Sequence, residues 1–80
     1  MARVTVHGMI CATNAEGAKD KDGKAVPTTD LYSMGEVVTI RNLIVSDKAI
    51  GTYADILCDL KFGSYEGRSY HTYTAVKQNG

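Results

Sequence analysis

The stretch TYADILCDLKF, residues 52–62, decides between two folds. As a strand it alternates, with five residues on one face and only Leu57 breaking the pattern. Those five are Ala54, Ile56, Cys58, Leu60 and Phe62. As a helix it also has an apolar stripe, with Ser46 as its cap and Gly63 as its end. That stripe consists of Tyr53, Ile56, Leu57 and Leu60. The five matches on one face favour the strand, whereas a helix would indicate an α+β fold.

Three further segments also have the pattern of strands. ARVTVHGMICAT alternates from residue 2, and Gly8 within it predicts a bulge that would turn Met9 and Cys11 inward after Val4 and Val6. GEVVTIRNLIV, residues 35–45, is rich in β-branched residues, and RSYHTYTAVKQ, residues 68–78, alternates. With the segment that returns at residues 28–34, the chain has about five strands.

Residues 13–27 are polar and have almost nothing to bury. Asp22-Gly23 is a strong hairpin-turn dipeptide, so this segment predicts a projecting β-hairpin, a wing, with KDKDGK at its tip. The alternative is a plain disordered loop. We therefore expect an all-β fold: a single domain, residues 1–80, forming a small five-stranded antiparallel OB-like barrel with a projecting hairpin wing. The residues expected mostly inside it are Val4, Val6, Val38, Ile40, Ile56, Cys58 and Leu60.

Size and composition narrow the remaining properties. Eighty residues bury too little surface for a very stable monomer, which favours a homodimer. No segment is apolar enough to span a membrane or to act as a signal peptide, so we expect a cytoplasmic protein with no membrane partner. Cys11 and Cys58 are then expected as reduced thiols, with a disulfide as the alternative.

The sequence offers no catalytic or metal-binding pattern. His7 and His71 lie at opposite ends of the chain, and the acids are spread over loops and outward strand faces. No nucleophile motif, phosphate-binding glycine loop or zinc spacing occurs, and DKDG lacks the later acids of a calcium loop. We therefore expect no enzyme activity, no cofactor and no metal.

The remaining signal consists of basic and aromatic residues in projecting segments and strands. Nine Lys and Arg balance nine Asp and Glu, which argues against nucleic-acid binding unless the cations are gathered in one patch. Cations that follow phosphates and aromatics that stack on bases are typical of proteins that bind single strands. Tyr70 and Tyr73 have an alternative role as packing residues within the sheet. The candidate nucleic-acid-binding residues are Lys19, Lys21, Lys24, Tyr32, Arg41, Lys61, Tyr65, Arg68, Tyr70 and Tyr73.

The chain resembles a known family in about 30 of its residues. GTY at 51–53, CDLKFGSY at 58–65 and DGK at 22–24 are similar to segments of the filamentous-phage gene V-type single-stranded-DNA-binding proteins, which are small OB-like dimers. The resemblance implies that Tyr65, at a hairpin tip, stacks on a base. The family typically has an aromatic after the Gly-Lys-Pro of its wing, but this chain has GKAVP with Val26, which leaves Tyr32 as the candidate substitute.

Two functions remain at this stage. The first is a dimer that binds single-stranded DNA, or RNA, cooperatively and without sequence preference, coating a phage replicative or viral strand in the host cytoplasm. The second is a small β-rich protein-interaction or phage accessory module without nucleic-acid binding.

Overall fold

The computed structural model describes residues 2–76, which form a closed barrel of five strands. The strands are β1 (Ala2–Lys19), β2 (Ala25–Ser33), β3 (Glu36–Arg41), β4 (Tyr53–Tyr65) and β5 (Arg68–Ala75). A short 3-10 helix, Asp47–Ala49, lies in the connection between β3 and β4. Residues 53–62 are therefore a strand, as predicted, and the α+β alternative is wrong. Within residues 2–76, no helix is long and apolar enough to cross a membrane.

The strand β4 is central because it pairs with two neighbours. Its first half runs antiparallel to β1, from Met9↔Tyr53 to Ala2↔Leu60, and its second half pairs with β5, from Cys58↔Ala75 to Tyr65↔Arg68. The alternation that identified this strand places Cys58 inside, where it is completely buried. Phe62 lies on the same face but is 76% exposed, because this part of the β4–β5 hairpin extends past the core.

The barrel closes between β3 and β5, and this contact is parallel. Its register is Ile40↔Tyr73 and Arg41↔Thr74. The expectation of an entirely antiparallel barrel is wrong at this one contact. β1 and β4 are antiparallel, as are β4 and β5, so β5 runs in the same direction as β1 and β3. The strand order β1-β2-β3-β5-β4 is consistent with an OB-like barrel.

The core confirms the inward strand faces but contains residues that the sequence did not single out. Of the expected core residues, Val6, Ile40 and Cys58 are buried, whereas the other four are half-buried. Those four are Val4, Val38, Ile56 and Leu60. Ile10 and Leu31 are also buried. The completely buried Thr29 satisfies its hydroxyl by donating to the Leu43 carbonyl at 2.8 Å, and it also bonds with Thr13 at 3.0 Å.

The predicted bulge at Gly8 is wrong. β1 keeps an unbroken register with β4 from Ala2 to Met9, and its first irregularity against β2 falls between Ile10 and Ala12. Consequently Ile10 enters the core, while Met9 and Cys11 are only half-buried. Gly8 is required for a different reason: a Cβ atom there would lie 2.5 Å from the Tyr32 carbonyl oxygen of β2.

Both cysteines are free thiols in the structure. Cys11 is half-buried on β1, and Cys58 lies in the core on β4. Burial, with a smaller contribution from the neighbouring Asp59 carboxylate, raises the pKa of the Cys58 thiol. This thiol is therefore protected from reaction in the folded protein.

The close contact at Gly8 generates a stability prediction. Gly8→Ala forces a methyl group against a backbone oxygen of β2, which cannot rotate away as a side chain would. We expect this variant to lose about 1–3 kcal/mol of unfolding free energy, as for other overpacked sites. Thr5→Ala, at an exposed position of the same strand, is the control and should stay within about 0.5 kcal/mol of the wild type. Equal urea midpoints for the two variants would contradict the β1–β2 register described above.

Candidate nucleic-acid interface

The outward face of the β4–β5 hairpin gathers several of the predicted site residues. The cross-strand pairs Lys61↔Thr72, Gly63↔Tyr70 and Tyr65↔Arg68 follow one another at intervals of two residues, so all six lie on the same face. Tyr65 and Arg68 flank a two-residue turn in which Glu66 and Gly67 both have positive φ, 51° and 77°. This is the conformation of a type I′ hairpin turn, which keeps the two strands in register up to the tip.

Tyr70 packs on Gly63. A Cβ atom at Gly63 would lie 2.5 Å from both Cζ and the hydroxyl oxygen of Tyr70, so the ring occupies the space that a side chain would fill. The residue nevertheless remains 52% exposed. The packing role that was considered for Tyr70 is thus present together with an accessible aromatic surface.

Tyr65 lies at the tip of the same hairpin and is 70% exposed. Within residues 2–76 its hydroxyl makes no hydrogen bond, and its ring makes no aromatic contact with another ring. Arg68, its cross-strand partner, is also exposed. An aromatic and a cation therefore stand side by side at the tip.

A groove of about 530 Å³ lies between the 20–24 turn and the outward faces of β3, β4 and β5. Its lining brings together three predicted cations from distant parts of the sequence, Lys21, Arg41 and Lys61. Thr72 and Thr74 of β5 add hydroxyl groups to the same lining. Since Lys61 and Thr72 also belong to the outward hairpin face, the groove is continuous with the surface that carries Tyr70 and Tyr65.

Asp20 also lines the groove, and the structure gives its carboxylate a local role. Its Oδ1 accepts hydrogen bonds from the backbone N–H groups of Asp22 and Lys24, both at 2.9 Å. Gly23, with φ of 80°, completes the turn. Asp20 therefore shapes the turn that presents Lys21 and Lys24, while Lys19 is exposed at the end of β1.

Two predicted site residues lie elsewhere. Tyr73 is opposite Leu60 on the inner face, is partly buried against the core, and contacts His71 edge-on with ring centroids 5.4 Å apart. The packing alternative therefore describes Tyr73. Tyr32 is on the outward face of β2, four residues beyond Thr28, the partner of Arg41. At ~3.4 Å per residue, this places it about 14 Å along the strand from the groove.

Tyr32 belongs to a second surface, which we call the aromatic row. It consists of Val37, Tyr32, Met9 and Tyr53, which are direct cross-strand neighbours on β3, β2, β1 and β4. Tyr53 is 72% exposed and stacks on the ring of His7, and the His7 imidazole contacts the Asp55 carboxylate. This row was not predicted from the sequence. The alternation of β4 places Tyr53 on the other face of the strand from the inward Ala54, and this pattern could have predicted an exposed tyrosine.

The rest of the surface formed by residues 2–76 provides weaker candidates for a nucleic-acid or metal site. A separate cleft is lined mainly by Leu43, Ile56, Leu57 and Val76, and no cation lines it among residues 2–76. In the same range, no three His, Cys, Asp or Glu side chains come together as a group that could hold a metal ion.

Comparison with known proteins adds no relative: no protein-family model matches the chain, and no curated protein and no solved structure matches it either. The assignment of a function therefore depends on the geometry of the site.

Proposed function

We propose that this chain binds single-stranded nucleic acid without sequence preference, and that DNA is its main ligand. The observation that carries the proposal is the groove in which Lys21, Arg41 and Lys61 converge, together with its continuation onto the Tyr70 and Tyr65 surface. Cations that follow a phosphate backbone beside aromatics that stack on bases are the means by which proteins bind single strands.

The position of the groove within the barrel also supports this function. OB-like barrels bind oligonucleotides over strands 2 and 3 and through the loops that join strands 1–2 and 4–5. Here the turn between β1 and β2 carries Lys21 and Lys24, and Tyr65 and Arg68 flank the turn between β4 and β5. The same two loops that the fold uses for binding thus carry the candidate contacts.

The distribution of charge answers the objection from zero net charge. Six of the nine Lys and Arg residues are candidate contacts in the wing, in the groove or on the hairpin face. Two of the balancing acids lie outside the groove lining: Asp59 pairs with Arg3 at 3.1 Å, and Asp55 contacts His7 next to Tyr53 of the aromatic row. A positive surface can therefore form on one side although the chain is neutral as a whole.

The wing was predicted over residues 13–27, and in this proposal it comprises residues 14–26 of the β1–β2 extension. Its strand ends pair as Ala18↔Val26 and Lys19↔Ala25, and its turn holds Lys21 and Lys24. The wing forms one wall of the groove, and the β4–β5 hairpin forms the other. Together with the resemblance of DGK, CDLKFGSY and GTY to gene V-type proteins, this arrangement supports cooperative coating of a phage replicative or viral strand.

The proposal makes a direct prediction for Tyr65. The chain has no Trp and five Tyr, so oligo(dT) should quench its tyrosine fluorescence, and salt should reverse the quenching. Tyr65→Ala should lower the affinity by ~1–3 kcal/mol, which is the contribution of one stacked base. Tyr65→Phe should bind almost as the wild type, because stacking requires the ring and not the hydroxyl.

Thermal melts separate stacking from packing. Because Tyr65 is 70% exposed, neither variant should change the unfolding free energy by more than about 0.5 kcal/mol. A strongly destabilised Tyr65→Ala variant that still binds oligo(dT) normally would show that the residue is a packing residue. Failure of the wild type to bind oligo(dT) at low salt would disprove the proposed function itself.

The dimer is part of the same proposal, and the inner face of the β4–β5 hairpin is its candidate interface. Phe62 is 76% exposed there, opposite His71 and next to the half-buried Leu60. This apolar surface is continuous with the core. A second copy of the 80-residue chain that covers it would add the buried apolar area that so small a domain lacks. A two-fold axis would place the same patch on both sides of the contact.

Sedimentation equilibrium tests the dimer. The wild type should sediment at twice the 8.6 kDa chain mass, whereas Phe62→Glu should sediment as a monomer, because the substitution buries a carboxylate in an apolar contact. The control is Tyr53→Glu, an equally exposed aromatic in the aromatic row, which should remain dimeric. A dimeric Phe62→Glu variant would place the interface elsewhere.

One observation favours a second candidate function. The aromatic row exposes Tyr53, Tyr32 and Val37 on one face, with Met9 between the two tyrosines, and the neighbouring charged residues Glu36 and Asp55 are acidic. Such an apolar surface with acidic neighbours suits a protein partner better than a nucleic acid. This would make the chain a protein-interaction or phage accessory module.

A further inference from the structure

The guanidinium of Arg41 joins the barrel to the wing. Arg41 is the last residue of β3, where it is paired with Thr28 of β2 and Thr74 of β5. Its Nη2 donates a hydrogen bond of 2.9 Å to the carbonyl of Lys19, the last residue of β1. The side chain of a residue whose backbone is held between β2 and β5 thus contacts the base of the 20–24 turn.

The wing has few other hydrogen bonds to β3, β4 or β5, although Gly17 packs closely on Thr28 of β2. The pairing of β2 with β3 begins at Thr28↔Arg41. Next to this pair, the Asn42 N–H group donates a hydrogen bond of 2.8 Å to the Pro27 carbonyl. Among residues 2–76, no side chain from β3, β4 or β5 other than Arg41 donates a hydrogen bond to residues 14–26. An isolated two-stranded hairpin is only marginally stable in water, so the orientation of the wing depends on such ties.

We infer that Arg41 is a positioning residue that fixes the wing over the groove, and that it couples the wing to phosphate binding. This inference rests on the proposed function. Arg41 lines the groove, and its guanidinium has five N–H donors, of which the Lys19 carbonyl uses one. The remaining donors can meet a phosphate while the first holds the wing. Lysine cannot replace it, because a compact ammonium lacks the planar fork that serves both partners at once.

Two variants separate the positioning role from the charge. Arg41→Lys keeps the charge and loses the fork, whereas Arg41→Gln also loses the charge. Arg3→Lys is the matched control, because Arg3 lies on the outward face of β1 and does not line the groove. The first readout is amide hydrogen exchange in the free protein at Asp20 and Gly23, whose N–H groups bond to Lys24 and Asp20 carbonyls within the wing. The second readout is the affinity for oligo(dT) and its salt dependence.

In both Arg41 variants, the hydrogen-exchange rate of these wing amides should be roughly tenfold higher than in the wild type, because one hydrogen bond from a charged donor is lost. Arg3→Lys should leave the exchange unchanged. In Arg41→Lys the affinity should fall roughly three- to tenfold with the salt slope retained, because the charge remains but the wing is no longer preorganised. In Arg41→Gln the slope should also fall, by about 0.7 for one lost phosphate contact.

Unchanged exchange at Asp20 and Gly23 in both Arg41 variants would overturn the positioning role. Faster exchange with wild-type affinity in Arg41→Lys would overturn the coupling between the wing and the groove. The exchange measurement uses the protein without DNA, so it judges the positioning role even if the wild type does not bind oligo(dT). The latter result would reject the proposed function separately.

Discussion

The structure depends on β4 being paired on both of its edges. Its first half completes the barrel against β1, and its second half, from Cys58 onward, pairs with β5. Because the strand is longer than the barrel requires, the β4–β5 hairpin continues past the core, with Phe62 exposed on one face and the Lys61, Gly63 and Tyr65 positions on the other. A single long strand therefore supplies part of the core, a wall of the groove and the exposed Tyr65 at the hairpin tip.

The groove combines rigid and local elements. Lys61 and Thr72 are placed by strand pairing, whereas Lys21 depends on a turn that Asp20 organises through two backbone hydrogen bonds. Asp20 introduces a negative charge into a surface that we propose for phosphate binding. Its carboxylate nevertheless fixes the conformation of the turn through the two hydrogen bonds that it accepts. A preorganised turn would lose less conformational entropy on binding a single strand.

The sequence predicted local features well and long-range ones poorly. Alternation identified β4, and Asp22-Gly23 identified the turn, because both patterns depend on near neighbours in the chain.

Gly8 was misinterpreted, since its role is set by the Tyr32 carbonyl on another strand. The parallel contact between β3 and β5 and the separation of Tyr32 from the groove both follow from barrel closure, which no single segment encodes. Lys21, Arg41 and Lys61 were each predicted as candidate contacts, but their convergence in one groove could not be predicted, because they are 20 residues apart in the chain. Tyr73 could have been separated from Tyr70 by parity, because residues three apart in a strand lie on opposite faces.

We propose that the groove and the outward hairpin face together form the binding surface for a single strand. Mapping amide chemical shifts in a 15N-labelled sample, with and without oligo(dT), tests it most directly. We expect the largest changes at Lys21, Arg41, Lys61, Tyr65 and Thr72, and small changes at His7, Tyr53 and Asp55. Chemical-shift changes that are concentrated on the aromatic row, or that are absent from the groove at low salt, would contradict this location of the binding surface.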